Sequence, residues 1–278
     1  LVTDSSCDLP REIVQAHGIH VVPMTLVFGE EVLRDGIDID ASAFVERMRR
    51  GTQATTSQPA PASFLDSYDR AAEDGETVLG IFVSSALSGT FASAEAAARR
   101  RPDTPITLVD SRAASLALGL QVLRAAELAE LGWRTDAIAA ELTRIRSRSG
   151  IMFTVDVFDN LLASGRVGRG RVMIAGLLDI KPVLELDGSG RVVPVARARG
   201  RKNVLPKVLD VLAARVPSSA KALRFGIIHV GCPEVVEPVT TALAERYGER
   251  DIIAAPATPV LATHLGPGAW GLAWQWED

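Results

Sequence analysis

The sequence has very little cysteine: Cys7 and Cys232, far apart and with no CxxC spacing. Count alone excludes a disulfide framework or a cysteine-built zinc site, and two isolated thiols fit a reducing cytoplasm. Histidine is equally scarce at four, and His17-Gly-Ile-His20 lacks both the HExxH context and a third ligand, so no metal is expected. There is no excess of one charge: 30 Lys+Arg against 34 Asp+Glu leaves −4, too mild for a polyanion binder, and nucleic acid is not expected as a partner. No uninterrupted apolar run reaches 18 residues. The most apolar region, Ile252 to Trp276, is broken by Pro256, Pro259, His264 and Gly266-Pro267-Gly268, so no transmembrane segment is expected. No secretory leader is visible either. The start at Leu1-Val2, without an initiator Met, suggests that native residues precede it.

What is present reads as an ordinary globular chain, 47% hydrophobic and 23% charged. At about 150 residues per domain, 278 residues suggest two. The first half alternates strand and helix signals. Leu1-Val2-Thr3 opens a strand, Asp8 is placed to cap a helix to His17, and Ile19 to Phe28 reads as one β-branched strand. Asp40 or Ser42 caps a helix through Arg50, and Phe64 to Ala72 is helical. Val78 to Val83 is a continuous apolar run, the pattern of a strand buried on both faces. An alanine-rich helix at 91–100, a strand at Ile106–Asp110 and helices near 114–131 and 135–148 follow. Such alternation predicts an α/β domain on a parallel sheet over 1–149.

From 150 to 278 the pattern changes. Ile180 to Leu186 and Arg191 to Ala198 flank Asp187-Gly188-Ser189-Gly190, a hairpin signal. A helix over 201–215, strand Arg224–Val230, helix 233–247, strand 251–255 and a closing strand near 269–276 predict an α/β domain with a mainly antiparallel or mixed sheet. In the closing strand Trp270, Leu272, Trp274 and Trp276 share a face.

Several motifs bear on chemistry. Gly266-Pro-Gly-Ala-Trp-Gly271 matches GxGxxG, but a strand follows it rather than a helix, so it is not a dinucleotide loop. Three hydroxyl-rich loops stand at strand ends: Thr3-Asp4-Ser5-Ser6, Thr55-Thr56-Ser57 and Ser84-Ser85-Ala86-Leu87-Ser88-Gly89-Thr90. Ligands of α/β sheets collect at such ends. In the third loop Gly89 would let the backbone approach a ligand, and a helix N-terminus adds N–H donors suited to a carboxylate or phosphate. Helix capping by Ser88 explains one of these hydroxyls but not the cluster.

Arg166, in Ser164-Gly165-Arg166-Val167-Gly168-Arg169, stands in a glycine-flexed turn and could reach an anion. His264 precedes the Gly-Pro-Gly turn and reads either as a structural histidine or as a site residue. The run Arg197, Arg199, Arg201, Lys202 is either a solvated strand end or a docking patch for an acidic partner or a phosphate. A Ser/His hydrolase acting on a lipid or acyl ester, with Ser88 as nucleophile and His264 as base, is the enzymatic alternative. It lacks a GxSxG elbow.

Taken together, six motifs carry a resemblance. Val2-Thr3-Asp4-Ser5-Ser6-Cys7-Asp8-Leu9, Thr56-Ser57-Gln58-Pro59, Ser84-Ser85-Ala86-Leu87-Ser88-Gly89-Thr90, Val109-Asp110-Ser111, Ile180-Lys181-Pro182-Val183-Leu184 and His264-Leu265-Gly266-Pro267-Gly268-Ala269 occur in order along almost the whole chain. The sequence thereby resembles the DegV family of bacterial fatty acid-binding proteins. That resemblance implies two α/β domains with a long-chain fatty acid held near their interface and no cofactor. It implies a carrier, not an enzyme, that presents the carboxylate to a separate fatty acid kinase. The acyl phosphate then goes to phospholipid synthesis, where a membrane-associated acyltransferase is a further partner. By the same resemblance Thr56 and Ser88, with Gly89, would hold the carboxylate, Arg166 and His264 would flank it, and Arg199 would meet the kinase. Ala62-Ser63 departs from the Gly-Glu that often follows the TSQP loop, which bears on that loop's outer contacts and not on Thr56.

Overall fold

The computed structural model describes residues 1–73, 77–167 and 180–277. Its first half runs β1 (Val2–Asp4), α1 (Arg11–Ala16), β2 (His20–Val22), β3 (Thr25–Phe28), β4 (Glu31–Arg34), α2 (Ala41–Arg49), β5 (Thr55–Ser57), α3 (Pro61–Glu73), β6 (Val78–Phe82), α4 (Thr90–Ala98), β7 (Ile106–Asp110), α5 (Leu116–Glu130) and α6 (Thr135–Ile145). Then follow β8 (Ser149–Thr154), α7 (Asp159–Ala163), β9 (Ile180–Leu186), β10 (Val192–Arg199), α8 (Val204–Ala213), β11 (Lys221–His229), α9 (Val236–Tyr247), β12 (Asp251–Pro256), α10 (Pro259–Leu265) and β13 (Trp270–Glu277).

The apolar run from Val78 becomes β6, buried at all five positions. It stands inside a parallel sheet of order β2-β1-β6-β7. A second sheet of order β10-β9-β8-β13-β11-β12 is mixed, antiparallel except where β11 meets β12. These are the α/β layers and the two kinds of sheet expected from the sequence.

A third sheet, β4-β3-β5, is antiparallel and was not anticipated. Ile19 to Phe28 is not one strand, because Pro23 has no N–H to give to a ladder. The chain leaves the parallel sheet after Val22 and enters the small sheet at Thr25. Thr55–Ser57, read as a loop, pairs with β3 as its third strand. Asp8 does not cap α1 as the sequence predicts: the N-cap is Pro10, and Asp8 stands buried at φ +53. Asp40 does cap α2, accepting from Ala43 N at 2.8 Å.

The β9–β10 hairpin closes as its turn residues dictate. Asp187 Oδ1 accepts from Ser189 N, Ser189 Oγ and Arg191 N, and Gly190 supplies φ +76. In β13 the large residues Trp270, Leu272 and Trp274 join a core under α8 and α9 with Val208, Phe225 and Val239. The opposite face is lined by small residues because α5 presses against it. A Cβ on Gly226 would come within 2.7 Å of Leu116 Cβ, and Ala273 belongs to the same apolar cluster as Leu116. Helix α5 is buried at eleven of its fifteen positions, contacting β6 on one side and β8, β11 and β13 on the other. One apolar cluster therefore runs from Leu79 and Ile81 through Leu118 to Ile151 and Phe153, joining both large sheets.

Candidate functional site

Between the carboxyl ends of the parallel strands and α10 lies a cavity of about 650 Å³. That falls within the roughly 300–1,000 Å³ of small-molecule sites. Its buried lining is mainly apolar, with Met24, Val83, Ile151, Phe153, Val192 and Ile228 beside the hydroxyl residues Ser6 and Ser115, and its more exposed mouth carries Thr56, Gln58, Ser88, Arg166 and His264. A second cleft of about 770 Å³ lies on the outer side, between β5, α2 and α7. Thr56, Arg166 and His264 line both spaces, so they form the wall between the apolar cavity and the outer cleft.

Thr56 is held in β5 opposite Leu26 of β3. Its Oγ1 lies 2.9 Å from His264 Nε2. His264 stands in the last turn of α10, which opens with Pro259 in its first turn and closes at Gly266. The Gly-Pro-Gly turn that follows has a strict backbone requirement. Gly266 and Gly268 have φ +77 and +80, and a Cβ on them would lie 3.0 Å from Asn160 Oδ1 and 2.6 Å from Asp156 Oδ2. Asn160 in turn donates to Thr263 O at 3.1 Å, tying α7 to α10. Burial, and secondarily the Arg166 cation, push the His264 pKa down to about 4. The imidazole is therefore neutral at pH 7. It shares one hydrogen bond with the Thr56 hydroxyl and adds no charge.

Arg166 follows Gly165, at φ +71, and its guanidinium bonds to the carbonyls of Leu87 and Ser164. Carbonyl partners leave its full positive charge for an anion. Gly168 and Arg169 of the same motif lie outside the described residues.

In the 84–90 loop most hydroxyls are structural. Ser84 Oγ donates to Gly190 O at 3.0 Å, and Ser85 Oγ donates to Asp110 Oδ2 at 2.6 Å. Ser88 Oγ lies 2.8 Å from Thr90 Oγ1 and accepts from Thr90 N at 3.3 Å. When the Thr90 hydroxyl also donates to it, the Ser88 proton is directed elsewhere, and Ser88 lines the cavity. Gly89 is the N-cap residue of α4, at an ordinary φ of −75. It borders the cavity, but the space beside its Cα is filled: a Cβ there would lie 2.0 Å from Gln58 Oε1. Gln58 also donates to Ser93 Oγ at 3.1 Å, so the TSQP loop is clamped onto the start of α4.

In the Thr3–Ser6 loop, expected to offer hydroxyls to a ligand, Ser5 and Ser6 donate to buried carboxylates, Ser6 from the cavity wall. Ser6 Oγ and N both donate to Asp4, as does Val83 N, and Ser5 Oγ donates to Asp35 at 2.6 Å. Asp4 is buried and its pKa is raised by desolvation. Thus the structure brings together Thr56, Ser88, Gly89, Arg166 and His264. It leaves Arg199 apart, exposed at the end of β10 opposite Ile180 and outside the lining of either space. Gln58 carries no chemical signal of its own within Thr56-Ser57-Gln58-Pro59. Asp35 carries no signal at all, because Arg34-Asp35-Gly36 reads as an exposed turn. As for the hydrolase alternative, His264 Nε2 is engaged by Thr56 and Ser88 by Thr90, so the two do not form a nucleophile–base pair. Among the described residues, no group of three His, Cys, Asp or Glu is placed to hold a metal ion, and no helix is long and apolar enough to cross a membrane.

Comparison with known proteins supplies the family context. A family model described as "Uncharacterised protein, DegV family" matches residues 1–277. A DegV domain-containing protein of Deinococcus radiodurans is 37% identical over 278 residues, covering 98% of this chain and 96% of its own. A solved DegV family protein from Thermus thermophilus, described by its fatty acid binding, has a TM-score of 0.93 at 35% identity and covers 99% of this chain and 98% of its own. The crystal structure of DegV from Bacillus subtilis, described as a fatty acid binding protein, has a TM-score of 0.91 at 30% identity, covering 99% and 98%.

Proposed function

The chain belongs to the DegV family, and on that premise we propose that it binds one long-chain fatty acid, tail in the apolar cavity and carboxylate at its mouth. Thr56 and Ser88 hold the carboxylate, beside Gly89. Arg166 supplies the counter-charge, and neutral His264 orients the Thr56 hydroxyl. Burying about 15 methylenes at about 0.8 kcal/mol each contributes on the order of 12 kcal/mol before the costs of association. The tail therefore dominates affinity, and the head-group residues fix register. Solved relatives described as fatty acid-binding support this reading.

The observation that carries the proposal further is the wall shared by the two spaces. A carboxylate held by Thr56 and Arg166 from inside can be reached from the outer cleft, because the same residues line both. A protein that hides the tail and offers the head group is a carrier. We infer that a separate fatty acid kinase meets this cleft, aided by Arg199, and phosphorylates the carboxylate. The acyl phosphate then travels to a membrane-associated acyltransferase for phospholipid synthesis. In this reading the protein works in the cytoplasm, uses no cofactor and catalyses nothing by itself.

The test is extraction of gently purified protein with organic solvent, followed by mass spectrometry. The expected yield is near-stoichiometric fatty acid. Lipid-free protein that also binds no added fatty acid would overturn the proposal. The kinase role is tested separately, by ATP-dependent phosphate transfer to the bound acid when the cognate kinase is added.

A further inference from the structure

Helix α10 has an unusual beginning. Its N-cap residue Thr258 makes no side-chain capping bond. The free N–H groups of its first turn are met instead by two carboxylates from the other end of the chain. Asp8 Oδ1 accepts from Thr258 N at 2.8 Å, and Asp35 Oδ1 accepts from Val260 N at 3.3 Å. The second oxygen of each is also used: Asp8 Oδ2 accepts from Ser115 Oγ and Asp35 Oδ2 from Ser5 Oγ, both at 2.6 Å. Both aspartates are almost completely buried, at 3% and 2% exposure. Among the described residues neither is paired with a cation. Burying carboxylates without a counter-charge is costly, so what they hold in place is informative.

What they hold is short. Seven residues rise about 10 Å, so a rigid anchor at the first turn fixes the position of the last turn. That last turn carries His264 at the mouth of the cavity. Each aspartate also reaches another wall: Ser115 lines the cavity, and Ser5 accepts from the backbone N–H of Met24, which lines it too. We propose that Asp8 and Asp35 are positioning residues for His264, anchoring the start of α10 so that the imidazole and its partner Thr56 meet a bound carboxylate in register. The proposal rests on the fatty acid reading above. It assigns a role to the Asp-Ser-Ser-Cys-Asp segment that the carrier function itself leaves without one.

The test compares hexadecanoate with hexadecanol, which share a tail and differ in head group, on the full chain. Asp8→Ala, Asp35→Ala and Thr258→Pro, the last removing the N–H donor together with a side chain that makes no capping bond, at a φ of −59 that proline accepts, should each lower the acid-over-alcohol preference about tenfold, the scale of one head-group hydrogen bond. Hexadecanol affinity should change by less than about twofold, since the tail site is intact. Asp8→Asn, which keeps the acceptor for Thr258 N, should retain the preference. Folded variants with an unchanged preference would overturn the proposal. So would parallel weakening of both ligands, which would make the aspartates purely structural, or an Asp8→Asn that behaves as Asp8→Ala. Should Asp8→Ala fail to fold, Thr258→Pro and Asp8→Asn still decide the matter. Wild-type protein that binds neither ligand would instead overturn the fatty acid reading itself.

Discussion

The Thr56 hydroxyl lies 2.9 Å from His264 Nε2, a contact that closes 208 residues of chain. With the imidazole neutral, its N–H can donate to Thr56 and leave the threonine proton for a ligand oxygen. A cation at this position would duplicate Arg166. A neutral ring keeps the mouth only singly charged, which suits the proposed exchange of an acid for its phosphorylated form.

Removing that hydroxyl should be felt by the head group alone. Thr56→Val is expected to weaken fatty acid binding by about tenfold or somewhat more, corresponding to about 1.5 kcal/mol for one hydrogen bond to a charged group. Hexadecanoate titration against wild type checks it. A loss near a hundredfold would mean that the tail site had moved as well.

Ser88→Ala should impair phosphate transfer to the bound acid more than binding itself, because the tail supplies most of the affinity. Calorimetric binding and a coupled kinase assay on the same preparation separate the two. Equal loss of both would make Ser88 a loop-structuring residue, consistent with its contacts to Thr90.

Stability should depend on pH in a definite direction. Burial pushes Asp8 and Asp35 up to about 7, against the donors from Ser115, Thr258, Ser5 and Val260. Asp4 and the Cys7 thiol, also raised by burial, are their titratable neighbours. A carboxyl raised above its unfolded value of 3.8 contributes stability that is fully present below pH 3.8 and lost as pH rises through about 7. His264, lowered from 6.5 to about 4, acts oppositely: its contribution is lost as pH falls through that window. With Asp4 shifted in the same direction, three carboxyls oppose one imidazole, so these sites together should lower stability as pH rises from 4 to 7. The stability of Asp8→Asn relative to wild type, from urea melts, should rise across the same range. A flat difference would contradict it.

The glycines of the site divide into two kinds. Gly268→Ala must place a Cβ 2.6 Å from Asp156 Oδ2 at φ +80, and is expected to cost about 2 kcal/mol or more. Gly89→Ala meets only the movable end of Gln58 at an ordinary φ. Its cost should stay near about 1 kcal/mol, the loss of the Gln58–Ser93 hydrogen bond. Chemical denaturation of both variants tests the order.

A division at 149/150 falls within the first residues of β8 and cuts through the core. Leu116 of α5 packs on Gly226, and Ile151 and Phe153 share a cluster with Leu79 and Ile81. Residues 1–149 expressed alone are expected to lack cooperative unfolding, and the full chain to melt in one transition by circular dichroism. An independently folded fragment would show that α5 can do without the second sheet.

Periodicity and turn chemistry account for most of the elements, since these are local properties. The run Val78–Val83, the Asp187–Gly190 turn and the Asp40 cap each state their structure within a few residues. Pro23 was equally visible, yet its effect of sending one apolar segment into two sheets depends on what each half meets. The proposed carboxylate site was legible only because whole motifs resemble a family. Hydroxyl-rich loops by themselves did not distinguish Ser88, at the cavity, from Ser5, whose hydroxyl goes to Asp35.

By itself, then, the sequence determined the class of fold, the scarcity of cysteine and of long apolar runs, and the residue types available to the proposed head-group site. Tertiary structure decided which hydroxyls face the cavity, that His264 is neutral, and that Asp8 and Asp35 hold the helix carrying it. The physical reason is distance along the chain. A side chain's partner and its desolvation are set by segments 200 or more residues away, as Thr56–His264 and Asp8–Thr258 are, and no local pattern encodes them.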